Sequence, residues 1–230
     1  MRGTSADPGL PMHCDDDLCR LLRQRLDAFE PEQAVAAGLR RAAVAVTVID
    51  VGYGADLPGL PRHQWWDPAA AVLLTRRSAA LRRHAGQWAL PGGRLDGAET
   101  AVEAALREMH EEVSVTLPPE AVLGRLDDFT TRSGFVMTPV VVWGGAGLRT
   151  WPDPQEVASV HRIPLTELLR DDAPKFERAA AGEAPVLRMP VGEDDIAAPT
   201  AAVLYQFREV CLLGRHTRVA NLEQPRFAWK

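Results

Sequence analysis

Glu108, Glu111 and Glu112 crowd three carboxylates into one short stretch, GRLDGAETAVEAALREMHEEVSV, which runs from Gly93 to Val115. Val102, Ala105, Leu106, Met109 and Val113 recur at helical spacing and predict one buried stripe. The three glutamates are related by i+3 and i+4, which sets them on one turn-to-turn face beside that stripe. Carboxylates held so close repel one another unless a cation sits among them. Hard divalent cations take oxygen ligands, and Mg²⁺ in particular combines a few carboxylates with substrate phosphates. Pro91-Gly92-Gly93 leads into the stretch; its glycines let backbone approach a ligand closely, and the Gly93 carbonyl is a candidate metal ligand. The expected chemistry is presentation of a divalent ion to a phosphate.

A phosphoanhydride resists water because its negative oxygens repel a nucleophile. A divalent ion offsets that charge, orients the substrate and makes bound water more acidic. A nearby carboxylate can then take the proton.

Gly93, Glu99, Arg107, Glu108, Met109, Glu111, Glu112 and Val115 match the signature of the Nudix hydrolases, glycine-x5-Glu-x7-Arg-Glu-apolar-x-Glu-Glu-x-Gly-apolar, so the stretch resembles that family. Ser114 departs, standing where the family has glycine. That position follows the helix, where glycine would supply a left-handed cap; either serine takes that cap at about 1 kcal/mol of strain, or the helix ends differently. The resemblance implies an α/β/α sandwich with a mixed central sheet, and Mg²⁺ or Mn²⁺ as cofactor. It makes Glu108 and Glu112 the main metal ligands and Glu111 a further ligand or the base. Arg107 either takes part in catalysis or pairs with Glu99 to hold the loop against the helix. The family often recruits one more acid from a later loop; Glu156, after Pro152-Asp153-Pro154, is the candidate, with Asp127 and Asp128 behind it.

Upstream, LLTRRSAALRRHAGQWALPGG (73–93) is similar to the additional motif of the coenzyme A pyrophosphatase branch. Leu73, Leu74, Thr75, Arg77, Ser78, Arg82, Gly86, Pro91, Gly92 and Gly93 match; Leu90 stands where that branch has Phe, and Trp88 is bulkier than expected. Coenzyme A is a polyanion, and guanidinium grips phosphate in bidentate fashion. Arg77 and Arg82, with His84 behind them, are therefore the candidate substrate-binding residues. The alternatives are another nucleoside diphosphate derivative, such as ADP-ribose or a dinucleotide, and a non-catalytic nucleotide-binding regulator.

The elements that must position these groups follow from periodicity. A helix is predicted over 15–29, with Leu18, Leu21, Leu22, Leu26 and Phe29 on one face. Strands are predicted over 42–49, 69–76, 87–90, 121–126, 129–132, 135–143 and 156–163, with 186–190 as a final strand. The glutamate helix is expected over 98–113, a short helix over 164–169 and an amphipathic helix over 199–213. Residues 50–68 read as an inserted loop whose Trp65 and Trp66 are either core plugs or an exposed platform, the core being the expectation. One Nudix domain should span 16–214, after a disordered 1–15 and before a tail, 215–230, that docks through Phe227 and Trp229.

Composition bounds the rest. The chain has 230 residues, 46% hydrophobic, enough for an ordinary core. Its net charge of -5 argues against a general nucleic-acid binder. No stretch approaches the length of a membrane span and no signal pattern opens the chain, so a cytoplasmic location without a membrane partner is expected. Cys14, Cys19 and Cys211 are odd in number and should be plain thiols. The expected partner is a small nucleoside diphosphate substrate; the resemblance also suggests a homodimer.

Overall fold

The computed structural model describes residues 12–35, 38–81, 84–177 and 186–222. Helix α1 (Asp16–Asp27) is capped by Asp15, whose carboxylate accepts the Asp17 and Leu18 amides. Strands β1 (Arg40–Gly54), β2 (Arg62–Arg77), β3 (Trp88–Ala89) and β4 (Gly92–Arg94) precede the glutamate helix α2 (Ala101–Val113). Then come β5 (Val122–Arg125), β6 (Phe129–Thr130), β7 (Phe135–Gly145), β8 (Val157–Pro164) and α3 (Leu165–Leu168). A small antiparallel sheet of β9 (Lys175–Glu177), β10 (Val186–Val191) and β11 (Asp194–Ala197) leads to α4 (Thr200–Phe207), which runs on into a π turn over 208–212.

The main sheet has the order β3-β2-β1-β7-β5, with β4 also on β1, β6 on β7 and β8 on β2. Only β1 and β7 run parallel among these pairs, so the sheet is mixed. Its central strand β1 is buried on both faces, which is why its sequence is a continuous apolar run rather than an alternating one. Val44, Val46 and Val48 join the core formed with α1 and α4; Ala43 and Ala45 pack with Ala104, Ala105 and Met109 of α2. This is the expected α/β/α sandwich, and the small alanines let α2 settle close to the sheet.

Several expectations change. Residues 50–68 are not a loop. β1 and β2 continue as a hairpin, with Gly52 opposite Asp67 and Gly54 opposite Arg62 across two irregularities that hid the strand pattern. The tryptophans do not plug the core: Trp65 is 82% exposed, and Trp66 is 41% exposed with its indole donating to Asp50. The strand at 186–191 is not the last, because β11 follows it. Order begins earlier than expected: His13 bridges Ala69 and the Cys14 amide donates to the Pro68 carbonyl. Residues 1–11 lie outside the described residues, as do Phe227 and Trp229. All three cysteines are free, and burial pushes the Cys14 thiol up to about 12. No helix among the described residues is long and apolar enough to cross a membrane.

Candidate active site

Helix α2 begins with a capping box. Thr100 accepts the Glu103 amide while Glu103 accepts the Thr100 amide, at 3.2 and 2.8 Å. It ends at Ser114, which takes the left-handed conformation (φ 57°, ψ 33°) that glycine would adopt freely. The serine hydroxyl donates to the Trp151 carbonyl at 3.0 Å, an interaction glycine could not make.

The buried stripe of α2 fixes which glutamates turn inward. Glu112 is only 3% exposed, and the Glu108 side chain is 12% exposed. Both meet β4, which lies antiparallel on β1 with Gly93 opposite Ala43 and Gly92 opposite Val44. A Cβ on Gly93 would fall 2.0 Å from the Glu108 carboxylate, and one on Gly92 would fall 2.3 Å from the Ala43 carbonyl. The two glycines are thus required by close approach rather than by unusual backbone angles. The Gly92 amide also donates to Glu112.

Arg107 organises the outer flank. Its Nε and Nη2 clasp Glu99 at 2.9 and 3.1 Å, and Nη1 bridges Glu108 at 2.9 Å and Glu111 at 2.8 Å. Nη2 also donates to the Arg94 carbonyl at 3.0 Å. The guanidinium therefore ties the 94–99 loop to the helix, which is the supporting role weighed from the sequence. The Glu99 carboxyl is held below its usual range, first by the Arg107 hydrogen bond. Glu111 stands apart from the inner pair: its side chain is 53% exposed and faces Arg107.

The inner pair is electrostatically uncomfortable. Burial pushes Glu108 upward, opposed by Arg107. Burial pushes Glu112 up to about 8, with the Glu108 and Glu156 charges adding; Arg77 and the Gly92 amide pull it down. Two buried carboxylates with only oxygen donors, sharing a glycine cradle, form a donor set that suits a hard divalent cation. Among the described residues no three acidic or imidazole groups already enclose a metal-sized space. An ion held here would draw the rest of its shell from substrate oxygens and water, as Mg²⁺ commonly does.

Glu156 arrives on the loop after β7. The Asp153 amide donates to the Glu112 carbonyl, the Trp151 amide to the Val113 carbonyl and the Ser78 amide to the Glu156 carbonyl. The Ser78 hydroxyl adds a bond to the Pro154 carbonyl. Glu156 is exposed, yet close enough for its charge to act on both Glu108 and Glu112.

Arg77 stands at the end of β2, opposite Val157, with its Nε buried and without a hydrogen-bond partner. It lines a cavity of about 330 Å³ together with Gly92, Gly93, His84 and Arg94. His84 holds a left-handed backbone (φ 56°) and its Nδ1 meets Gln87 at 3.1 Å. Arg82, the other expected anion contact, lies outside the described residues. Arg76 does not face this cavity: it stacks on Trp88 at 3.9 Å and pairs with Asp194. Trp88, the residue too bulky for its motif position, is buried in that pairing and donates to Asp194 at 3.1 Å.

Asp127 and Asp128 are structural. Asp127 accepts from the Glu32 amide, Gln206 and Arg218; Asp128 accepts from the Ala34 amide and Thr138. Sequence reasoning missed Arg94 and Phe135 beside the cavity. The Arg94 guanidinium lies 5.3 Å from the Phe135 ring centre. Only the pairing of β1 with both β4 and β7 brings them together, and no local pattern encodes that.

The chain is thus a mixed α/β sandwich that turns two glutamates of one helix toward a glycine strand. Residues 65–184, just over half of the chain, match the NUDIX domain, and the chain belongs to that family. It is similar to the uncharacterized Nudix hydrolase NudL of Pectobacterium atrosepticum (48% identical over 103 residues, 44% of this chain and 53% of that one). It is also similar to the NudL of Photorhabdus laumondii (44% over 103 residues, 44% and 55%). The chain spans about half the length of these curated relatives. Among solved structures, a Nudix hydrolase from M. smegmatis, RenU, is 27% identical with a TM-score of 0.40, over 57% of this chain and 74% of that one.

Proposed function

We propose that this protein is a divalent-metal-dependent hydrolase of nucleoside diphosphate derivatives. Its substrate is coenzyme A or an acyl-coenzyme A, cleaved to phosphopantetheine and adenosine 3′,5′-bisphosphate. The observation that carries the reading is the inward placing of Glu108 and Glu112 against Gly92 and Gly93, with the Arg77 charge acting on Glu112. Mg²⁺ or Mn²⁺ held there supplies charge neutralisation for the diphosphate and acidifies water.

The chain's own residues do the rest. Gly93, bare of a side chain, leaves room for the Glu108 carboxylate beside the diphosphate. Arg77 lines the cavity and offers its guanidinium to a phosphate oxygen. Arg107 and Glu99 keep the cradle rigid. Water adds to one phosphorus as the bridging P–O bond breaks, and a carboxylate takes the water's proton. Glu111 and Glu156, the two exposed acids next to the buried pair, are the candidates for that role. The agreement of Leu73, Leu74, Thr75, Arg77, Ser78 and Gly86 with the coenzyme A motif supports this substrate, and Ser78 is accounted for because it anchors the loop of Glu156.

The test is a substrate panel with Mg²⁺ or Mn²⁺, read by product masses, that includes coenzyme A, ADP-ribose and a dinucleotide. Coenzyme A should yield the two products named. Cleavage of ADP-ribose or the dinucleotide alone would transfer the activity to that substrate. No cleavage of any of them would overturn the reading.

A further inference from the structure

The cavity beside the glutamate site is basic in an acidic protein. Its wall includes Arg77, His84 and Arg94 and no aspartate or glutamate. Among the described residues neither Arg77 nor Arg94 forms a close ion pair with a carboxylate, although the Arg77 charge acts on Glu112, whereas Arg107 forms three. The far wall is Ser133 and Phe135. Arg40 stacks on the Phe135 ring at 4.1 Å and donates to the Ser133 carbonyl at 3.3 Å, which holds ring and turn in place. Arg94 reaches the same ring while its carbonyl is pinned by Arg107, so its main chain is fixed and its guanidinium remains available. Gly93 belongs to both regions: it lines the cavity, and its α-carbon abuts Glu108.

An anion in this cavity would sit one glycine away from the scissile site. A volume of about 330 Å³ falls at the small end of ligand pockets, too small for a whole dinucleotide and ample for a phosphorylated ribose. We propose that this cavity is a second anion subsite, with Arg94 a specificity-determining contact, and that it selects substrates carrying a phosphate monoester in addition to the diphosphate that is cleaved. This rests on the diphosphatase reading for its orientation and deepens it. The subsite distinguishes a nucleotide with a further phosphate from the same nucleotide without it.

The experiment is equilibrium binding by titration calorimetry at low ionic strength with a chelator present, so that no metal contributes. The probes are adenosine 3′,5′-bisphosphate and adenosine 5′-monophosphate. A charge-assisted contact predicts about tenfold tighter binding of the bisphosphate by the unsubstituted protein. Arg94→Ala should bring the two affinities together, and Arg94→Lys should restore part of the difference. Arg94 is exposed, so its circular dichroism and melting temperature should match the parent. Equal affinities in the parent protein, or an Arg94→Ala variant that keeps the full preference, would overturn the subsite. If the preference is present and Arg94-dependent but coenzyme A is not cleaved, the subsite stands and the substrate assignment falls. If coenzyme A is cleaved and the preference is missing, the reverse holds.

Discussion

Arg107 in α2 acts on Glu108 and Arg77 at the end of β2 acts on its neighbour Glu112, and their surroundings treat them oppositely. Arg107 spends its donors on Glu99, Glu108, Glu111 and a backbone carbonyl. Arg77 keeps a buried Nε with no partner and lines an open cavity. A saturated guanidinium stabilises the fold it belongs to. One that lines a cavity without such pairs can turn to an acceptor there. The difference separates an arginine committed to the fold from one that the proposed function assigns to substrate, although both fall on motif positions.

The comparison can be broken most sharply at the two inward-facing acids. Glu112→Gln should lower kcat by about 100-fold or more while near-ultraviolet circular dichroism shows the native fold. Unchanged turnover would remove Glu112 from the site. Gly93→Ala pushes a methyl group into the Glu108 carboxylate and should cost about 100-fold in kcat/KM through displacement of that group. The arginines themselves come next. Arg107→Ala should lower unfolding free energy by about 1–3 kcal/mol in a denaturant melt. Arg77→Ala should stay within about 0.5 kcal/mol of the parent while raising KM about tenfold. Equal stability losses for the two would collapse the distinction drawn here.

The smallest effect is the pH dependence of the metal-free protein. Glu112 has a folded pKa of about 8, above its ordinary value near 4.5. Its protonated form is favoured by folding, so its contribution is fully present below the unfolded pKa and is lost as pH rises through about 8. In chelator, the melting temperature of the parent should fall across that window more than that of Glu112→Gln. Added Mg²⁺ should raise it more at the alkaline end.

Much of this was visible in the sequence, for reasons that differ by element. The α2 stripe and its glutamates are local, since a helix brings i+3 and i+4 together whatever the rest of the chain does. The place of residue 114 after the helix leaves two endings open, a strained left-handed cap or another exit, and Ser114 adopts the cap. The hairpin at 50–68 was missed because Gly52, Gly54, Pro58, Gly59 and Pro61 look like loop punctuation; bulged pairing accommodates the first two. Asp127 and Asp128 looked available as ligands because nothing local shows that Gln206, Arg218 and Thr138 fold back onto them. Arg94 beside Phe135 depends on two strand pairings of β1 far apart in sequence. What a side chain does alone was legible; what it meets was not.

The final turn of α2 hands its carbonyls to the segment that bears Glu156: Glu112 accepts the Asp153 amide and Val113 the Trp151 amide. Helix end and loop therefore loosen together or not at all. On gentle warming, fraying at that junction would scatter the buried glutamate and its exposed neighbour in one event while β1 and its flanking strands persist. Such a protein would fall silent at a lower temperature than the one at which it melts.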